Sequence, residues 1–217
     1  MTAIILPFFY NLYVLEFNRM QKLMNNNFKI KYPILITCFF LVYGDLKAES
    51  AQSIKDELEM CVSCHGDKGA SENPEVPILA GQHFYYLYVQ LKDYKSRARE
   101  NEIMSEIAST LSKPKMKELA QYFSKQSWPN IGFKASDKKT ALGERAASAG
   151  QCVQCHLGSY KGDSRIPRLS GQHPLYLYTT MIDFKNKKRL NSPAKGSLFS
   201  SYPEAEIEAM SEFLAGM

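Results

Sequence analysis

Two five-residue strings constrain this chain more than any other feature: Cys61-Val62-Ser63-Cys64-His65 and Cys152-Val153-Gln154-Cys155-His156. They stand 91 residues apart, and much of the chain downstream of each repeats at nearly that period. Leu79-Ala80-Gly81-Gln82-His83 returns as Leu169-Ser170-Gly171-Gln172-His173, and Tyr86, Leu87, Tyr88, Asp93, Tyr94 and Lys95 return as Tyr176, Leu177, Tyr178, Asp183, Phe184 and Lys185. A chain that repeats in this way folds as two like units. In each copy the apolar positions Leu87, Leu91 and Tyr94, then Leu177, Met181 and Phe184, recur at i, i+4 and i+7, which is one face of a helix. A final helix is expected to start near Pro114 and Pro203, since proline suits a first turn. Leu119 and Tyr122, matched by Met210 and Phe213, form its buried side. No segment alternates like a strand, so the fold class is all-α. The expected organisation is a signal segment over 1–48, domains over 49–128 and 138–217, and a linker over 129–137.

The cysteine economy states the chemistry. Beyond the expected signal the chain has four cysteines and four histidines, and the two strings take all four cysteines and two of the histidines. C-x-x-C-H is the attachment motif of c-type haem. Two thiols add across the porphyrin vinyl groups, and the adjacent histidine is carried under the ring to the iron. A thioredoxin-like pair or half a zinc site would read similarly, but two copies without a further cysteine argue against both. The residues expected to hold two covalent haems are Cys61, Cys64, His65, Cys152, Cys155 and His156.

The N-terminus reads as an export signal. Lys29 and Lys31 precede an apolar run over 34–42, too short to span a bilayer comfortably, and Ala48 offers a cleavage site. Met24 or Met20 is read as the true start, Cys38 leaves with the signal, and an uncleaved anchor is the competing reading. The predicted location is the periplasm. The formal charge of +5 falls to +2 without the signal, with 22 basic residues against 20 acidic. Four ionised propionates from two haems would make it negative, so nucleic acid is not an expected partner.

With these residues in view, the chain resembles cytochrome c4, the dihaem class I c-type cytochromes. The resemblance rests on two C-x-x-C-H domains of this size, each followed by a proline (Pro77, Pro167), a Leu-x-Gly-Gln-His segment and an aromatic helix, and it covers residues 53–217. The Leu111-Ser112 pair at the opening of the last helix fits it as well. It implies two tandem cytochrome c domains related by a pseudo-twofold. It also implies a periplasmic electron carrier, peripherally associated with the membrane, that serves redox protein partners such as a membrane oxidase or reductase complex. The Pro77 and Pro167 carbonyls would accept the second N–H of each proximal histidine. Such an acceptor orients the imidazole and raises its basicity.

The sixth iron ligand distinguishes the halves. Met104 lies 39 residues after His65 and seven before Leu111, in an expected loop, where the resemblance places a distal methionine. A thioether favours ferrous iron and raises the potential. Lys195 holds the same offsets in the second half, 39 after His156 and seven before Tyr202. It is a neutral-amine ligand, a solvated residue beside an open iron, or a residue displaced in favour of another group. Met181 and Met210 sit on helix faces and read as core.

His83 and His173 are expected to pack or to bind propionates. The basic stretches 92–99 and 185–189 are expected to be solvated faces, or a docking surface for an acidic redox partner. The tyrosines are expected to wall the haem pockets with hydroxyls near the surface. The leading function is electron transfer without catalysis. The alternatives are a dihaem oxidoreductase, of thiosulfate dehydrogenase or peroxidase type, and the cytochrome subunit of a flavocytochrome sulfide dehydrogenase. Against catalysis, no compact set of acid, base and nucleophile stands elsewhere in the chain.

Overall fold

In the computed structural model, residues 48–217 are described. The expected signal, with Cys38 and the starts Met20 and Met24, lies outside the described residues apart from Ala48. Residues Ala51–Met217 form one compact unit. Helices make up its regular structure, and among the described residues the only β feature is an isolated bridge between Asp163 and Ile166.

The first half carries α1 (Ala48–His65), α2 (Phe84–Lys95), α3 (Glu102–Thr110) and α4 (Lys113–Ser124). The second carries α5 (Asp137–Ala149), α6 (Val153–His156), α7 (Pro174–Lys185), α8 (Pro193–Ser200) and α9 (Glu204–Ala215). In each half the aromatic helix packs on the final one, α2 on α4 and α7 on α9, and the shorter helices α3 and α8 lean on α2 and α7. The expected faces are inward: Leu87, Tyr94, Leu177, Met181 and Phe184 are buried, as are Leu119 and Met210. Met181 and Met210 belong to one core cluster with Leu177, Ile207 and Leu214.

Local chemistry sets the helix starts. Asn101 caps α3 by accepting the Met104 N–H at 2.9 Å, and Ser112 and Ser136 cap α4 and α5 in the same way. Pro174 and Pro193 take first-turn positions in α7 and α8, and Pro203 stands just before α9. Lys95 and Lys185 tie the ends of the aromatic helices to the approach of the last ones. Each ammonium donates to a matching carbonyl, Leu111 at 2.6 Å and Tyr202 at 2.7 Å.

One difference between the halves is structural. In the first, α1 runs unbroken through both cysteines to His65. In the second the helix stops at Gly150, Gln151 turns at φ 52°, and the four-residue α6 comes next. The Tyr202 hydroxyl donates to the Ala146 carbonyl at 3.0 Å and occupies the space that a Cβ on Gly150 would need.

The crossing of α5 and α9 depends on Gly143, where a Cβ would stand 2.2 Å from the Ala209 carbonyl oxygen. Neither helix backbone can yield cheaply. Gly143→Ala is therefore expected to cost about 1–3 kcal/mol as the helices separate. Denaturant melts of the holoprotein check this, and an unchanged midpoint would show that the crossing opens freely.

Candidate functional site

Both C-x-x-C-H strings end in the same turn. The residue after each histidine takes a positive φ, Gly66 at 76° and Leu157 at 60°, and leads into a short 3-10 turn. A Cβ at Gly66 would lie 2.7 Å from the Ala70 carbonyl, so glycine suits the first copy, whereas the second forces leucine into a left-handed conformation. Within each string the first cysteine is half-buried and the second exposed.

The turn delivers each histidine to a proline carbonyl. His65 Nδ1 lies 2.9 Å from Pro77 O, and His156 Nδ1 lies 2.9 Å from Pro167 O. A carbonyl can only accept, so Nδ1 carries the proton and Nε2 keeps its lone pair. Burial lowers the pKa of both rings against the opposing pull of the proline carbonyls, and His156 falls to about 4 with help from the charge of Lys195. Each site thus offers two thiols beside a neutral imidazole, oriented with one nitrogen free. That is the donor set a covalent haem requires, and the residues fit it twice.

Met104 and Lys195 occupy equivalent places, each the third residue of its helix. The expected loops are the first turns of α3 and α8. The Asn101 cap in one copy, and proline in the first turn of the other, start a helix before the ligand position rather than after it. Both residues are half-buried. The Lys195 ammonium stands 5.3 Å from the centre of the Phe184 ring. Burial first, then Arg189 and Arg99, lower its pKa to about 8. Its charge is in turn one of the causes that lower the His156 pKa, after burial.

The two sites are joined by a reciprocal lock. The Gln172 amide receives the Ile78 N–H at 3.0 Å and donates to the Ile78 carbonyl at 3.1 Å. The Gln82 amide does the same to Arg168, at 2.9 and 3.0 Å. Ile78 and Arg168 each come directly after the proline that holds a proximal histidine, so each half's glutamine grips the other half's histidine support. His83 and His173 extend the pattern, with Nε2 2.8 Å from Lys161 O and 2.8 Å from Ser71 O respectively. Both contacts cross between the halves. Trp128, the last residue of the expected first domain, stacks under Arg168 at 4.4 Å and donates to Gly171 O at 3.3 Å, so the approach to the expected linker is docked rather than loose. The signal for the glutamines was in the sequence, since both Leu-x-Gly-Gln-His copies keep the residue.

Two further expectations need correction. The basic stretches are exposed at Lys92, Lys95, Arg97, Lys187 and Lys188, but Arg99 and Arg189 turn inward and are buried. Both stack on aromatic faces, Arg99 on Tyr94 at 4.6 Å and Arg189 on Phe184 at 4.5 Å. The tyrosine hydroxyls do not all reach the surface: Tyr176 OH receives Arg99 Nη2 at 3.1 Å.

No protein-family model matches the chain. Cytochrome c4 of Thiocapsa roseopersicina is 33% identical over 171 residues, which cover 73% of this chain and 87% of that protein. This chain belongs to the cytochrome c4 family. The crystal structure of reduced recombinant cytochrome c4 from Pseudomonas stutzeri superposes with a TM-score of 0.69 at 28% identity, over 77% of this chain and 98% of that one. A "thiosulfate dehydrogenase electron acceptor" of Stutzerimonas stutzeri (strain A1501) is 30% identical over 169 residues, 72% of this chain and 78% of that one. As a cytochrome c4, the protein is an all-α dihaem c-type cytochrome with covalently bound haem, an electron carrier whose partners are redox proteins. Among the described residues no helix is long and apolar enough to cross a membrane.

Proposed function

We propose that this cytochrome c4 carries electrons in the periplasm between respiratory partners, delivering them to a membrane terminal oxidase. Cys61 and Cys64 attach one haem and Cys152 and Cys155 the other, with His65 and His156 as proximal ligands and domains over 49–128 and 138–217. When bound, each haem supplies an iron that cycles between ferric and ferrous. The chain's own residues do the rest. Pro77 and Pro167 hold the imidazoles with Nε2 free, burial keeps them neutral, and the glutamine lock keeps the two supports in fixed register. Met104 is the distal ligand of the first iron and Lys195 that of the second. The observation that carries this reading is the duplication itself, two identically oriented histidines whose supporting loops each half's glutamine clamps in the other.

The similarity to the Stutzerimonas electron acceptor favours a second reading of the donor side, in which a thiosulfate-oxidising enzyme reduces the protein. Both readings are tested on one preparation. Intact mass should show two haem additions that survive acid–acetone extraction, and membranes from the source organism should reoxidise the reduced protein. Reduction by thiosulfate only when a thiosulfate dehydrogenase is added would establish that donor. Substantial turnover of thiosulfate, tetrathionate or peroxide by the purified protein alone would replace the carrier reading with an enzymatic one.

A further inference from the structure

The turn after each aromatic helix has one backbone geometry and two surface chemistries. Arg97 and Lys187 both take left-handed backbone, at φ 59° and 55°. Their N–H groups donate to the carbonyls of Tyr94 and Phe184 at 3.1 and 3.2 Å. Two residues on, the Arg99 and Arg189 N–H groups reach the carbonyls of Asp93 and Asp183 at 3.1 and 3.0 Å. The fold asks the same of both turns, yet their charges differ. Residues 94–112 hold three cations, Lys95, Arg97 and Arg99, against three acids, Glu100, Glu102 and Glu106. The matching residues 184–203 hold five cations and no acid.

In the second half part of that charge stands free at the surface. Arg97 is paired with Glu106 at 2.6 Å, whereas Lys187 and Lys188 are exposed and enter no ion pair among the described residues. Leu190 is 63% exposed where the first half has Glu100. Leu198 adds a second exposed apolar side chain from α8, which packs against α7. The third residue of α8 is Lys195, the counterpart of Met104, so this surface borders the distal side of the second haem site through its own helix. Solvation alone gives no reason for exposed leucines beside free lysines. A transient protein contact does, since an apolar centre supplies affinity and a charged rim supplies encounter rate. Ile103 is also exposed, but it stands among Glu100, Glu102 and Glu106, which repel an acidic partner.

We propose that Lys187, Lys188, Leu190 and Leu198 form the docking surface for a redox protein with an acidic contact face, which gives its electron to the second haem site. The inference rests on the carrier reading above. Charge complementarity identifies the partner: free cations without a neighbouring acid attract an acidic face from a distance. The small apolar centre suits the short-lived complexes of electron transfer, which bury little area. The step is a single electron: the partner's centre is oxidised by one, the second iron passes from ferric to ferrous, and no proton or atom moves. Entry belongs to the second half because its iron, without a thioether, has the lower potential, so the electron runs on to the first.

The test mixes ferric holoprotein with photoreduced plant-type ferredoxin, an acidic one-electron donor, by stopped flow at several salt concentrations. The wild-type second-order rate should fall as salt rises, because screening removes the attraction. Lys187→Glu together with Lys188→Glu should slow the reaction about tenfold or more at low salt and approach the wild type at high salt. Lys113→Glu together with Lys117→Glu makes the same change in net charge on exposed positions of the first half, and should slow it less than about threefold. Leu190→Ser should lower the rate at every salt concentration. Melting temperatures and two haem additions in the intact mass establish that each variant is folded and loaded. Equal slowing by the two charge reversals, or none by the Lys187 and Lys188 pair, overturns the proposal. Vesicles of phosphatidylglycerol and phosphatidylcholine provide the other arm. If they bind the wild type but not the Lys187 and Lys188 variant, while the ferredoxin rates agree, the surface belongs to a membrane instead. Reoxidation by source membranes is read separately: its failure removes the terminal oxidase from the carrier reading, and the ferredoxin rates still decide the docking surface.

Discussion

Replacing Lys195 by methionine is expected to bring the two redox steps of the protein together. In the wild type, haem 1 with its thioether should be reduced first and haem 2 at a lower potential, because an amine does not favour ferrous iron as a thioether does. Lys195 takes the same third position in α8 that Met104 takes in α3, so Lys195→Met installs the thioether without moving the backbone. A second methionine-to-iron charge-transfer band should appear beside the one that Met104→Ala removes. Lys195→Ala should turn half of the haem absorbance high-spin and leave the other half unchanged. Acid should act in the same direction, since the amine must lose its proton to bind metal and lowering the pH returns it. The starting point is favourable, because burial and two arginines already bring Lys195 down to about 8. If Lys195→Ala leaves the spectrum and both potentials untouched, the second iron does not use this residue.

The largest effect on stability is expected at Gln172. Its side chain is buried, and so is Ile78, whose N–H and carbonyl it satisfies. Gln172→Ala orphans both groups in a place that water does not reach. Each orphan costs about 1–3 kcal/mol, so the substitution should cost about 3 kcal/mol. Gln82→Ala should cost less, because its partner Arg168 is only half-buried and solvent can replace part of what is lost. The double variant should unfold in two steps, with electron exchange between the haems slowed, since each glutamine steadies the support of the other half's proximal histidine. Denaturant melts monitored at the haem band would show the order. A cost under about 0.5 kcal/mol at Gln172 would mean that the lock contributes no net stability.

How much of this was legible in the chain itself can be traced through particular residues. The two C-x-x-C-H strings and the period between them specified two haem-binding halves, because thioether attachment needs both thiols and the histidine in one short segment. The i, i+4, i+7 stripes of Leu87, Leu91 and Tyr94 and their copies specified the buried faces, because helix geometry alone brings such residues together. Equal offsets paired Met104 with Lys195, and the structure gives them equivalent helical positions. Contacts between residues far apart in the chain were not legible. Arg99 and Arg189 sit in stretches whose charge density suggested solvent, and only the apposition of the halves turns them onto Tyr94, Phe184 and a shared Gln90. The reach of Gln172 to Ile78 crosses 94 positions. Periodicity and spacing report what a residue does within its own helix or loop. Which buried polar groups satisfy one another is decided only when the two halves close, because each hydrogen-bond partner is then supplied by the other half.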